Sequence, residues 1–224
     1  MNISIKLLDT AATIQQKVNA ALAAELNKAV TGNKTKFENK AKFFVRKCIM
    51  EQPEIASISI GGQGSLAAQL GVQKGQEQSV VNSIVNSIVE STTVQLTRFD
   101  NKLHGKLHIN FQPSDFVNLL ALPQGFVNTE KGQSLHWLRW LLREGAKPIV
   151  IGYQYVPGKA GRSRGGVMMA NAQSWRVPPQ FSGTDENNFI TRAFSGREKE
   201  VQDLKAALQY QTKNHLRVVA LVVK

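Results

Sequence analysis

The 224-residue chain predicts an α+β fold, with a mixed or antiparallel sheet, several flanking amphipathic helices and an extended Gly/Arg-rich hairpin arm. Three observations lead there. Ile14, Val18, Ala21, Leu22 and Leu26 recur at helical spacing, residues 92–111 alternate polar and apolar side chains around Asp100-Asn101, and glycines and arginines from Gly158 to Gly166 separate two strand-like runs. A hydrophobic fraction of 42% and a charged fraction of 20% fit a folded core and not a disordered tail. The length suits one domain over 1–224, with a helical N-terminal region at 1–52 and an α/β body at 53–224.

In order along the chain, Asp9 to Val30 reads as an alanine-rich amphipathic helix that Thr31-Gly32-Asn33 breaks. Thr35 and Glu38 have capping-box spacing, which predicts a second helix reaching about Met50. Pro53 ends it, and an extended stretch through Ile55, Ile58 and Ile60 meets Gly61-Gly62-Gln63-Gly64. That glycine triplet suggests a phosphate cradle, but Ser65-Leu66 follows where a nucleotide triphosphatase needs lysine, so a structural loop is expected. From Gln76 to Ser91, Val80-Val81, Ile84-Val85 and Ile88-Val89 repeat every four residues, which places one apolar stripe on a helix. Thr92 to Phe99 and Lys102 to Phe111 form the two strands of a hairpin. His104, Lys106 and His108 fall on one strand face, where a lysine neighbour and the lack of a third ligand argue for solvated residues over a metal.

Pro113-Ser114-Asp115 opens a short helix through Leu120, and a loop runs from Pro123 to Gly132. Ser134 to Glu144 reads as a helix bearing Trp137 and Trp140, either core residues or interface residues, which Gly145 stops before a buried strand from Pro148 to Tyr155. Val167 to Ala170 returns as a strand, which makes Pro157 to Gly166 the tip of a projecting arm with Arg162 and Arg164 at its end. In Trp175-Arg176-Val177-Pro178-Pro179 the prolines remove backbone donors, so this segment, with Phe181, marks either a docking surface or a covered edge of its own sheet. Thr184-Asp185-Glu186 precedes a short helix at Phe189 to Phe194, and Ser195 to Glu198 repeats the capping-box spacing before Val201, Leu204 and Leu208. Leu216 to Val223 reads as a buried strand that closes the sheet.

The charge of +12 and pI near 10.0 call for an anionic partner, whether nucleic acid or an acidic protein surface. The bases are spread over several segments, and Lys34, Lys36, Lys40 and Arg46 are the candidates to face DNA. Cys48, the single cysteine, falls on an apolar helix side with Phe44, Val45 and Ile49 and reads as a buried small hydrophobe. No disulfide or cysteine-rich zinc site is expected, and a reducing compartment follows. No apolar run is long enough to span a bilayer, and Met1 to Asp9 lacks the pattern of a secretory signal. His104, His108, His136 and His215 sit in no serine-elbow or zinc-protease motif, and Asp9, Asp100, Asp115, Asp185 and Asp203 are scattered. The expectation is therefore no enzyme, with no catalytic residue, cofactor or metal.

Ser134-Leu135-His136-Trp137-Leu138-Arg139-Trp140-Leu141-Leu142, Gly161-Arg162-Ser163-Arg164-Gly165-Gly166, Ser174-Trp175-Arg176-Val177-Pro178-Pro179 and Asn188-Phe189-Ile190-Thr191-Arg192-Ala193 together resemble a virion protein of tailed bacteriophages, from the neck or tail-completion group between portal and tail. The resemblance is strongest over Gly105 to Phe194 and weaker over Leu66 to Val72. It implies a homo-oligomeric ring, a hexamer for tail completion in preference to the dodecamer of a head-side connector, with genomic DNA passing through a central channel. It also implies a place in the virion neck after synthesis in the host cytoplasm. The implied partners are a head-side connector or portal adaptor on one side and tail terminator, tube or sheath proteins on the other, with no membrane. Arg162, Arg164, Trp175, Arg176, Pro178, Pro179 and Phe181 are the candidate assembly interface. A sequence-nonspecific nucleic-acid-binding protein is the alternative, favoured by charge but without a helix-turn-helix, zinc-finger or RNA-recognition signature.

Overall fold

The computed structural model describes residues 9–111, 115–128, 132 and 134–211, the side chains of 205–211 excepted. Among the described residues helix accounts for 48% and strand for 17%, all of the strand short and antiparallel, which makes the fold α+β. The expected sheet is three separate two-stranded hairpins among the described residues. The contacts divide the described residues into two units, one within 9–41, 93–110 and 199–211, the other within 42–92 and 111–198. The division falls inside a helix, at Ala41/Lys42.

In the first unit, α1 (Ala11–Gly32) starts at Thr10, whose hydroxyl accepts from the Thr13 amide at 3.2 Å. It ends at Asn33, whose side chain donates to the Ala29 carbonyl at 2.9 Å. Only one residue separates it from α2 (Lys34–Met50). The expected Thr35/Glu38 cap is therefore absent: Thr35 is already helical, and Glu38 instead pairs with Lys34 at 3.6 Å. The first hairpin joins β1 (Thr93–Thr97) to β2 (Lys106–Asn110), shorter than expected because residues 98–105 form a wide turn. Asp100 organises that turn, accepting from the Lys102 and His104 amides at 2.8 and 2.9 Å. Asn27 of α1 holds its flank with a strand-like pair of bonds to the Phe99 amide (2.8 Å) and carbonyl (3.2 Å). A β-carbon at Gly105 would meet the Phe99 ring at 2.9 Å. Val94, Leu107 and Ile109 are buried while Lys106 faces out, the period of two expected of a half-covered sheet.

The second unit contains α3 (Pro53–Ile60), α4 (Leu66–Gln69), α5 (Glu77–Glu90) and α6 (Val117–Leu120). The stretch read as extended is α3, because Pro53 takes the first helical position, where its missing amide is harmless, and Ile55 and Ile58 share the buried face one turn apart. The four-residue repeat forms α5 as expected, with Val80, Val81, Ile84, Val85, Ile88 and Val89 all buried. Pro123–Gly125 is a 3-10 turn, and β3 (Val127–Asn128) pairs with β4 (Ser134–Leu135). The tryptophan segment is thus not helical from Ser134: β4 comes first, then a π-helical turn over Trp140–Glu144. Its carbonyls draw donors from outside, the Gly183 amide onto Trp140 at 3.2 Å and the Asn188 side chain onto Leu142 at 3.4 Å.

Next come β5 (Val150–Pro157) and β6 (Gly166–Trp175), then α7 (Phe189–Arg192) and α8 (Glu198–Gln211), whose residues from Lys199 belong to the first unit. The capping box predicted at Ser195 is not used, since the Ser195 hydroxyl donates back to Thr191 and α8 starts at Glu198. Asn188 and Thr191 make a capping box instead, with Asn188 fully buried at the start of α7. Phe194 stacks on Phe111 at 4.6 Å and Cys48 is fully buried. Met1 to Leu8, Pro113, Ser114, His215 and the strand expected at Leu216 to Val223 lie outside the described residues.

Candidate assembly surface

The longest sheet element is the β5–β6 hairpin, paired from Val150↔Trp175 to Pro157↔Gly166 with an irregularity between Ile151 and Tyr153. Among the described residues neither outer edge pairs with a further strand. Only the two ends of β6, Gly166 and Trp175, are buried, and Ile151 and Met169 are 78% and 51% exposed. The strand read as buried, Pro148 to Tyr155, is therefore only half-buried, with Ile151 exposed, because an apolar run does not say what covers it.

Its tip does not project as an arm. The Tyr155 hydroxyl donates to the Gly165 carbonyl at 2.7 Å and accepts from the Gly64 amide at 3.1 Å, which holds the tip against the glycine loop of residues 61–64. A β-carbon at Gly165 would lie 2.5 Å from the Gly62 carbonyl and 2.6 Å from the Ala68 β-carbon, so the close approach demands glycine. Arg162 donates to the Asn128 carbonyl at 3.0 Å, and its own carbonyl accepts from the Lys74 amide at 3.5 Å. Both Arg162 and Arg164 remain exposed, with Arg164 at φ +51°, a left-handed conformation that costs a side-chain-bearing residue about 1 kcal/mol. The same contacts show why residues 61–66 are a structural loop: the Gly64 amide is engaged by Tyr155 and the Leu66 amide by Ser57 at 2.9 Å.

Beyond β6, Trp175 is 8% exposed and Val177 fully buried, so Trp175 serves its own unit and is removed from the exposed candidates. Pro178 and Phe181 are half-buried in a turn that the Phe181 amide closes onto the Pro178 carbonyl at 2.9 Å, while Arg176 and Pro179 are exposed. The covered-edge and docking readings thus divide within the segment.

The adjoining π turn carries a cation–anion cluster in which Glu144 lies 2.8 Å from Arg139 and 2.6 Å from Lys147. The Lys147 hydrogen bond, with help from Arg139, holds its carboxyl below the usual carboxylate range. His136 stacks on Phe126 at 4.1 Å, and burial first, then the Arg139 charge, lowers its pKa. Its Nε2 is buried without a partner, as are the indole nitrogens of Trp137 and Trp140 and one carboxylate oxygen of Glu54. The other Glu54 oxygen pairs with Arg192, and Glu51 pairs with Arg197 at 2.6 Å, which ties the start of α3 to the region around α7. Glu54 and Asn188 are fully buried in this packing; Asn188 opens the segment Asn188 to Ala193 singled out in the sequence, whereas no motif marks Glu54.

Of the candidate DNA-facing residues, Lys36 and Lys40 share the outer side of α2. Lys34 points about 200° away from Lys36 at 100° per residue and is paired with Glu38. Arg46 donates to the Asn86 side chain at 2.7 Å. Among the described residues no three His, Cys, Asp or Glu side chains converge as a metal site, and no helix is long and apolar enough to cross a membrane. A crevice of about 20 Å³ in the first unit, lined by Asn27, Val30, Leu96 and Phe99 among others, is the size of one water and not of a substrate. Comparison with known protein families, curated proteins and solved structures yields no match.

Proposed function

We propose that the chain is a structural virion protein of a tailed phage, assembling into a ring in the neck through which genomic DNA passes. The observation that carries the reading is the β5–β6 hairpin. A two-stranded ribbon is marginal by itself, and one whose edges pair with no further strand among the described residues, with Ile151 and Met169 exposed, gains most from a neighbouring copy. The resemblance of residues 105–194 to neck proteins supplies the symmetry, six copies in preference to twelve. The proposed neighbours are a head-side connector or portal adaptor and a tail terminator, tube or sheath protein, met through Arg162, Arg164, Arg176 and Pro179, which stay exposed.

Native mass spectrometry of the purified chain tests the assembly. A closed oligomer is expected, six copies first, and Ile151→Asp should convert it to monomers with an unchanged circular dichroism spectrum. Arg162→Ala combined with Arg164→Ala should keep the ring and impair head-to-tail joining in particles. A chain that remains monomeric at micromolar concentration and is absent from virions overturns the reading.

A further inference from the structure

The outer side of α2 presents a feature that the assembly surface does not use. Phe43 is 74% exposed, whereas its neighbour Phe44 is buried with its ring 6.3 Å from that of Phe194. Helix geometry explains the contrast. Phe44, Val45, Cys48 and Ile49 take the buried side, and Phe43, Lys47 and Met50 follow at i, i+4 and i+7 on the opposite stripe, with Arg46 beside them. The 17 residues of α2 hold six bases against one acid, a net +5 of the +12 carried by the whole chain. Among the described residues no ion pair neutralises Lys42 or Lys47, and Arg46 is held by the neutral amide of Asn86, which orients the guanidinium without cancelling its charge.

Lysines on a helix surface alone say little, because most such faces are simply solvated. The aromatic ring among them is what selects a partner. Phosphates answer the cations, and an unstacked base answers a flat apolar ring that otherwise stays in water. A duplex offers the phosphates but keeps its bases stacked on one another, so it leaves the ring unused.

We propose that the α2 surface around Phe43 binds single-stranded nucleic acid without sequence preference, with Phe43 as a stacking platform and Lys42, Arg46 and Lys47 as phosphate contacts. This surface stands apart from the ring reading. An oligomer that ignores nucleic acid leaves the ring intact and removes this surface, and a monomer that binds does the reverse.

Fluorescence anisotropy of the full-length chain with labelled oligothymidylate of about 20 nucleotides, and with a duplex of the same length, between about 50 and 200 mM salt tests it. The single strand should bind more tightly than the duplex. Phe43→Ala and Phe43→Leu should each weaken single-strand binding about tenfold, while Phe43→Trp retains it. Lys42→Gln and Lys47→Gln should each reduce the slope of log affinity against log salt by about 0.7. Thermal melting should show all these variants folded, since Phe43 and Lys47 are exposed and Lys42 is half-buried. The proposal is overturned if neither probe binds at the lower salt, if Phe43→Leu keeps full affinity, or if the duplex is preferred. Competition by polyglutamate as effective as that by the oligonucleotide also overturns it and assigns the face to an acidic protein.

Discussion

Two hairpins of the same kind, antiparallel and two-stranded, end in opposite conditions. In β1–β2 alternate residues are buried, and Asp100 organises the turn by accepting from two amides of its own loop, with Asn27 of α1 bonding its Phe99 flank. In β5–β6 most of β5 is only half-buried, Ile151 and Met169 are exposed, and the tip is held by groups beyond the hairpin, the Gly64 amide and the Asn128 carbonyl. The first is a finished element, with its apolar side chains contributing to stability. In the second, Ile151 and Met169 contribute little until something is laid on them. Burial thus separates a residue that holds the fold from one that is left for association, although both read as apolar strand residues.

Alanine substitutions break or confirm that contrast most directly. Leu107→Ala on β2, where the side chain is 2% exposed, should lower unfolding stability by about 2–5 kcal/mol. Ile151→Ala on β5 should change it by less than about 0.5 kcal/mol in the monomer. Urea titration of each variant reads the difference. Equal losses at the two sites would show that β5–β6 is covered within its own chain, and the assembly reading would lose its main support.

Regularity decided what could be read from the chain. The four-residue repeat of α5 and the alternation of β1–β2 are local patterns, and both elements stand where they were expected. The segment of α3 misleads because isoleucine is a strand former, and the decisive signal was Pro53, which opens a helix as readily as it closes one. The π turn was not legible at all, since its carbonyl partners come from Gly183 and Asn188, some 40 residues on. At the candidate surface, the exposure of Arg162 and Arg164 follows from their glycine-rich setting, whereas the burial of Trp175 depends on tertiary packing that no local rule contains. The docked tip was missed for the same reason. Tyr155 lies 91 residues from Gly64, and nothing around it in sequence announces the contact.

A smaller effect sharpens the comparison at the two tips. Tyr155→Phe removes a donor to Gly165 and an acceptor for Gly64 while leaving the ring, so it should cost about 1 kcal/mol and loosen the β5–β6 tip. Hydrogen exchange should quicken at Gly64 and at residues 161–166 and stay unchanged in residues 93–110. An unchanged Gly64 amide would mean that close glycine packing at Gly165, and not the hydroxyl, holds the tip.

The smallest effect belongs to the turn that Asp100 organises and is visible only as a function of pH. The His104 amide first, with the Lys102 amide and the charges of both residues, holds the Asp100 carboxyl below its ordinary value of 3.8. A carboxyl whose folded pKa is depressed adds stability that is fully present above the unfolded value and is lost as pH falls through the folded one. The contribution should therefore be complete above about pH 4 and fade below it, as protonation removes the acceptor charge. Asp100→Asn keeps the side chain's shape and an acceptor oxygen but cannot titrate, so its melting curve should lack this step. Thermal melts of both proteins across the acid range should converge as the pH drops. If they stay parallel, Asp100 does not set the turn, and β1–β2 depends on its buried face and on the Asn27 bonds to Phe99.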